Sequence, residues 1–121
     1  MSEARVLGPE DLVSGPATPG MQRLIAFEGE GRWIGRSRVE PGVVSSWHHH
    51  GGHDTYFFVL SGDLRIELGG GRMAEVHAGD FALLPAAAVH REGPMGDVAF
   101  DAIVVRLGSG PQVFEAAEPT G

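Results

Sequence analysis

The histidines are the residues of this chain best suited to chemistry, because four of the six lie within six positions. These four are His48, His49, His50 and His53, and His90 stands far downstream of them. Imidazole is the commonest protein ligand of transition metals. On a strand, His48 and His50 would project from one face and His49 from the other. The pattern predicts a metal site if the fold brings His90 to the cluster.

Strands rather than helices must position these histidines. No part of the chain places apolar residues at helical spacing between caps. Instead, short apolar runs alternate with Gly-rich turns about every 8 to 12 residues, which is typical of a sandwich or barrel. Strands are predicted over residues 21–27, 32–39, 56–60, 64–68, 72–77, 81–84 and 98–107.

Length and composition narrow the possible functions. A chain of 121 residues predicts one domain, which needs no disulfide to fold. The chain has no cysteine, which excludes thiolate metal sites and fits the reducing cytoplasm where we expect the protein. No apolar run is long enough to span a bilayer as a helix and the N-terminus lacks a signal pattern, so no membrane association is expected. A net charge of −7 argues against a nucleic-acid partner.

Two spaced motifs carry a resemblance to a known family. The first motif runs Gly42, five residues, His48, one residue, His50, four residues, Thr55, six residues, Gly62. The second runs Gly79, five residues, Pro85, four residues, His90. Together they closely resemble the two motifs of the cupin superfamily, in the right order and with a segment of typical length between them.

The resemblance implies an all-β fold, namely a double-stranded β-helix, which is a small jelly-roll barrel. It also implies one divalent transition metal in the barrel, held by His48, His50 and His90. Iron is the leading choice, with Zn, Ni, Mn and Cu as alternatives. Three ligands of this kind leave coordination positions open, which distinguishes a working metal from a structural one.

One departure from the family bears on the metal. Where cupins usually have a glutamate, this chain has Thr55, whose neutral hydroxyl is a poor ligand. Asp54 fits a shorter family spacing, but strand alternation points it away if Thr55 points inward. His53 shares the parity of Thr55, although it lies in a Gly-rich turn. Water, His53, Asp54 or Thr55 therefore remain alternatives for the fourth position.

Other aromatic and apolar side chains are candidates for the wall of the pocket. Phe57 and Val59 share the parity of Thr55 on one predicted strand. Phe81, Phe100 and Ile103 are further wall candidates on later strands. An apolar wall of this kind suits a small aromatic or keto-acid ligand better than a sugar, whose hydroxyls need many hydrogen-bond partners.

The leading functional hypothesis is a metal-dependent enzyme that acts on a small organic molecule, with Fe(II) dioxygenation as its reaction class. Its catalytic residues are unknown. One alternative is isomerase or lyase chemistry, in which the metal acts only as a Lewis acid. The other is a non-catalytic module that binds or senses a small molecule. The fold does not decide among these functions.

The predicted organisation is a single barrel with less firmly held ends. Residues 1–20 and 108–121 are rich in Pro and Gly and are predicted to be a loosely held N-terminal segment and a C-terminal tail. Residues 21–107 form the predicted barrel. Because a jelly roll leaves edge strands to be covered, we expect a homodimer in which the apolar segment 21–27 joins the interface.

Overall fold

Strands dominate the computed structural model, which describes residues 3–120. In this part of the chain the one helical element is a 3₁₀ turn, Pro9–Asp11. The strands are β1 (Val13–Ser14), β2 (Met21–Gly29), β3 (Arg32–Val39), β4 (His48–His49), β5 (Asp54–Ser61), β6 (Asp63–Gly69), β7 (Arg72–His77), β8 (Phe81–Leu84), β9 (Arg91–Pro94), β10 (Phe100–Leu107) and β11 (Phe114–Glu115). The predicted all-β class is confirmed.

Two groups of strands form the two faces of a jelly roll. One is a six-stranded sheet in the order β1-β2-β3-β10-β5-β8. The other consists of β7-β6-β9 and β11-β4, which are joined by an isolated antiparallel bridge between His48 and His90. The pairing of β3 with β10 and of β10 with β5 crosses long stretches of sequence. This is the predicted double-stranded β-helix, although its sheets do not close into a continuous barrel.

The core lies between the two faces and follows the alternation of the strands. Val59 of β5 and Ala102 of β10 are fully buried, and the residues two positions before them, Phe57 and Phe100, are buried as well. Across the fold, Leu64 and Ile66 of β6 close the other side of the same cluster. Because these side chains fill the interior from both faces, the histidine-bearing segments are held against a packed wall.

The long strands were predictable, but the short ones were not. The predicted bounds are confirmed for β3, β7 and β8. By contrast, β1, β4, β9 and β11 have two to four residues each and carry too little periodicity to be recognised. The last of these, β11, lies in the segment predicted as a tail and pairs with β4. Residues 1, 2 and 121 of the predicted terminal segments lie outside the described residues, and the division of the chain remains a prediction.

The described residues include no helix of sufficient length and apolarity to cross a membrane.

Candidate metal centre

The bridge between His48 and His90 brings the two histidine motifs together. His48 N donates to His90 O, and His90 N donates to His48 O, both at 2.9 Å. Residues that exchange both backbone hydrogen bonds in an antiparallel pair stand directly opposite each other, with their side chains on the same face. His90 therefore meets His48 because of backbone pairing, and not because of any contact between the rings themselves.

His50 completes the cluster from the same strand region. It lies two residues after His48 and is turned to the same side, so that all three rings are buried. One nitrogen from each of His48, His50 and His90 lies within 4.8 Å of the others. The structure thus brings together the three residues that the sequence predicts as ligands.

Backbone carbonyls fix which nitrogen of each ring faces inward. The Nδ1 atoms lie 2.8 Å from Ser46 O for His48, 2.8 Å from Gln112 O for His50 and 2.9 Å from Ala88 O for His90. A carbonyl oxygen can only accept, so each Nδ1 must carry the hydrogen. The lone pair of each neutral ring is then on Nε2, which is the arrangement that orients histidine for a metal.

A carboxylate that the motifs do not include stands beside the rings. Glu92 Oε2 lies 2.9 Å from His90 Nε2, and Glu92 Oε1 lies 3.8 Å from His48 Nε2. Glu92 is two residues after His90, so strand alternation turns both side chains inward while Arg91 points away and pairs with Glu67. Its parity with His90 is the signal that the sequence contains, and it indicates an inward side chain only once β9 is known to be a strand.

The charges of this cluster are strongly coupled. Burial, and then the nearby Arg106 guanidinium, lower the pKa of His50 to about 3, so that its Nε2 lone pair is free at neutral pH. Burial also lowers the pKa of His90, but the Glu92 carboxylate outweighs this effect and raises it overall. Conversely, burial raises the pKa of Glu92, and the neighbouring rings, His90 first, bring it below its usual range.

The three residues predicted as further ligands have different surroundings. Thr55 is buried and points inward, where its Oγ1 accepts a hydrogen bond from Arg106 Nε at 3.3 Å. Asp54 points away, and its Oδ1 accepts from the backbone N–H of Ala86 at 2.9 Å. His53 is buried outside the three-histidine group, and its Nδ1 lies 3.2 Å from His50 O.

Two of the five predicted wall residues are in the wrong place. Phe81 is 81% exposed and packs on Phe58, because its neighbours Ala82 and Leu84 take the inward positions of β8. Ile103 is 39% exposed, because Ala102 and Val104 are the inward residues on either side of it. In both strands the alternation fixes the face, and the predicted residue has the outward parity.

The other three wall candidates are buried. Phe57 and Phe100 contact each other edge to face and line a small cavity of about 50 Å³, together with His50, Thr55 and Glu92. Val59 is fully buried in the core, one inward position beyond Phe57, and does not line this cavity. The space beside the rings is therefore mainly apolar and holds only a group of a few atoms.

Arg106 is a second residue that the sequence analysis missed. It is on β10, with the inward parity of Ala102 and Val104, and it lines both the small cavity and a larger pocket of about 470 Å³. Its two hydrogen bonds go to neutral oxygens, Thr55 Oγ1 and Gln112 Oε1. No carboxylate oxygen of residues 3–120 lies within 4.0 Å of its guanidinium.

Comparison with known proteins identifies the family. The model of the cupin domain matches residues 35–106, which is more than half of the chain. The chain therefore belongs to the cupin family.

The chain is also similar to two other proteins. A 45-residue stretch is 42% identical to the uncharacterized protein YdbB of Bacillus subtilis (strain 168), and the match spans 37% of this chain and 40% of that protein. A double-stranded β-helix protein from Klebsiella pneumoniae superposes with a TM-score of 0.76 over 96% of this chain and all of its own, at 21% identity.

Oxalate decarboxylase of Bacillus subtilis, a protein with Mn(II) centres, shares the fold with a TM-score of 0.70. Its identity to this chain is 19%, and the match covers 82% of this chain and 29% of the enzyme.

The residues of the site fit a divalent metal. His90 Nε2 and Glu92 Oε2 are both buried and have no hydrogen-bond partner, although they are 2.9 Å apart. Buried polar atoms without partners are rare and costly. A cation ligated by both atoms would satisfy them, and nitrogen and carboxylate donors suit Mn, Fe, Ni, Cu or Zn.

Proposed function

We propose that this cupin is a metal-dependent enzyme that acts on a small organic anion, with Fe(II)-dependent dioxygenation as the leading reaction. The observation that carries the proposal is the set of three buried rings whose Nε2 lone pairs converge beside an apolar cavity. When bound, a divalent transition metal would supply a Lewis acid and, if it is iron, a one-electron donor for oxygen chemistry. His48, His50 and His90 would hold it.

Arg106 supports an anionic substrate. Burial, and then the neighbouring Arg23, lower the pKa of Arg106 to about 10, so it remains charged at neutral pH. A half-buried guanidinium with only neutral partners can bind a carboxylate in a bidentate geometry. Since Arg106 contacts both the small cavity and the larger pocket, it would hold the anionic end of a substrate close to the three rings.

The larger pocket provides space for the body of such a substrate. Ile25, Trp33 and Val113 line it, and Arg106 lies 5.4 Å from the centre of the Trp33 ring. These apolar side chains would exclude water when a ligand is bound, and they would provide few hydrogen bonds to hydroxyl groups. Arg23 and Glu28 also line this pocket, but Arg106 is the cation that reaches the small cavity as well. A small aromatic or keto acid, with its carboxylate at Arg106 and its body against the apolar wall, fits this arrangement.

Isomerase or lyase chemistry is the second candidate. Arg106 favours it, because a guanidinium and a metal that bind the same keto acid would together stabilise an enolate, and this chemistry needs no molecular oxygen. A purely binding cupin is the third candidate, and it would use the same pocket without turnover. The three candidates share one metal site and differ in what happens to the bound ligand.

The test of the proposed function is oxygen uptake by the Fe(II)-loaded protein with catechols, flavonols, diketones, thiols and 2-oxo acids. We expect oxygen uptake with at least one of these classes, and no uptake in His48→Ala. Arg106→Gln should raise the KM for anionic substrates, whereas Arg38→Gln, at an exposed arginine, is the control and should leave it unchanged. If no substrate causes oxygen uptake but one of them is still converted to a product, the reaction is isomerase or lyase chemistry and not dioxygenation. If a ligand binds tightly and is recovered unchanged, the protein is a binding module and both enzymatic hypotheses are wrong.

We propose also that the protein is a homodimer. On the outer edge of β2, β1 pairs only with Leu24 and Ile25, and Val13 of β1 is 64% exposed. An incompletely covered edge strand with apolar neighbours favours pairing with a second copy. Light scattering at micromolar concentration should give twice the mass of a single chain. The mass of one chain over the whole concentration range would contradict the dimer.

A further inference from the structure

The contact between His90 and Glu92 is unusual for two buried polar groups. His90 Nε2 and Glu92 Oε2 are 2.9 Å apart, both are inaccessible to solvent, and neither has a hydrogen-bond partner. Because His90 Nδ1 carries its hydrogen towards Ala88 O, Nε2 faces the carboxylate with a lone pair when the ring is neutral and with a proton when it is an imidazolium. Two acceptors this close to each other repel unless a positive charge lies between or beside them.

A metal ion ligated by both atoms would account for this distance. Two ligands at right angles, each about 2.1 Å from one ion, are separated by about 3.0 Å. The observed 2.9 Å matches that separation, and the other carboxylate oxygen lies 3.8 Å from His48 Nε2. Glu92 thus stands beside two of the three predicted nitrogen ligands, on the side of the rings that also lines the small cavity.

We propose that Glu92 is the carboxylate ligand of the metal centre, supplied by β9 two residues after His90. The inference rests on the proposed metal site and names its fourth protein ligand. It accounts for the neutral residue at Thr55, because the anionic donor enters from the opposite sheet. A carboxylate in this position would leave the site with one unit less positive charge than three neutral imidazoles alone, which favours retention of a divalent cation.

The other candidates for the fourth ligand make contacts with other groups. Asp54 accepts a hydrogen bond from Ala86 N and faces outward. Thr55 Oγ1 accepts from Arg106, and the Nδ1 atom of His53 lies against His50 O. Among these carboxylates and rings, Glu92 is the one whose oxygen closely approaches a predicted ligand nitrogen, at 2.9 Å.

The first measurement is the affinity for Mn(II), determined by electron paramagnetic resonance of the free ion. Glu92→Gln preserves the size of the side chain but removes its charge, and it should weaken binding by about 10- to 100-fold or more. Glu75→Gln, on an exposed strand of the same sheet, is the control and should bind as the wild type does. A dissociation constant for Glu92→Gln within threefold of the wild type would overturn the proposal.

The second measurement counts the water molecules bound to Mn(II), by the relaxation of water protons. A six-coordinate ion with four protein ligands holds two waters, and loss of a ligand adds a third. We therefore expect two waters in the wild type and three in Glu92→Ala, whose methyl group cannot act as a ligand, whereas the amide oxygen of glutamine can. If Glu92 only orients His90, Glu92→Ala would weaken affinity without adding a water, and that outcome would overturn the proposal. If Glu92→Ala fails to fold, three waters bound to Mn(II) in the wild type would also overturn it.

These measurements separate this inference from the proposed function. If His48→Ala loses Mn(II) while Glu92→Gln retains it, the three-histidine centre stands and Glu92 is not a ligand. If the wild type binds none of Mn(II), Fe(II), Co(II) and Zn(II), the proposal of a metal centre is wrong, and so is the proposed role of Glu92.

Discussion

Replacing His90 by alanine should remove nearly all metal from the protein. His90 is fully buried, is paired with His48 through the backbone and presents Nε2 to Glu92. Structural zinc sites contribute about 10–16 kcal/mol, shared among four ligands, and on that scale the loss of one ligand should weaken affinity by about 10²- to 10³-fold. Elemental analysis of protein purified without a His-tag, and competition with a chelator, measure this loss.

The matched control for this prediction is His77→Ala. His77 is an exposed histidine on β7 whose Nδ1 contacts Asp63 at 2.7 Å, and it is not part of the three-histidine group. Its loss should leave the metal content unchanged, which separates the cluster from nonspecific binding by surface imidazole. Full metal occupancy in His90→Ala, with the fold intact by circular dichroism, would show that the three rings do not form the site.

The core of the site could be predicted because it depends on features that repeat along the sequence. His48 and His50 share a face by the parity of a strand, and the two motifs place His90 at a distance that a jelly roll closes. Glu92 and Arg106 could not be found in this way, because neither belongs to a motif. Both have the parity of an inward-facing neighbour, but that parity has meaning only once the strand and its buried face are known.

The wall predictions for Phe81 and Ile103 were wrong for the same reason, namely that the buried face of each strand is not known from the sequence. Phe81 and Ile103 are apolar residues on correctly predicted strands, but apolar character alone does not say which face of a strand a residue occupies. The backbone register decides it: Phe81 is opposite Phe58, and Ile103 is also opposite Phe58 from the other side of β5. All three side chains therefore share the outer face of the six-stranded sheet.

The glycines of the two motifs are expected to differ sharply in what they contribute to stability. Gly62 and Gly79 both have positive φ, at 81° and 91°, which costs other residues about 1–2 kcal/mol. A Cβ atom at Gly62 would also collide with the backbone of Ala99 and approach the Cα of Phe100 to 3.0 Å, whereas nothing lies within 4 Å of one at Gly79. Two glycines with the same conformation thus face different surroundings.

Gly62→Ala should therefore lower the free energy of unfolding by about 3–4 kcal/mol, and Gly79→Ala by only about 1 kcal/mol. The difference arises because the turn after β5 can relieve the collision only by moving away from the start of β10, which carries Phe100 and the buried positions that follow it. Thermal unfolding of the metal-free proteins is the measurement, since bound metal would add its own stabilisation. We expect a drop in Tm of about 12–16 °C for Gly62→Ala and of about 4 °C for Gly79→Ala. Equal losses would mean that the positive φ alone, and not the contact with Ala99, makes glycine necessary at position 62.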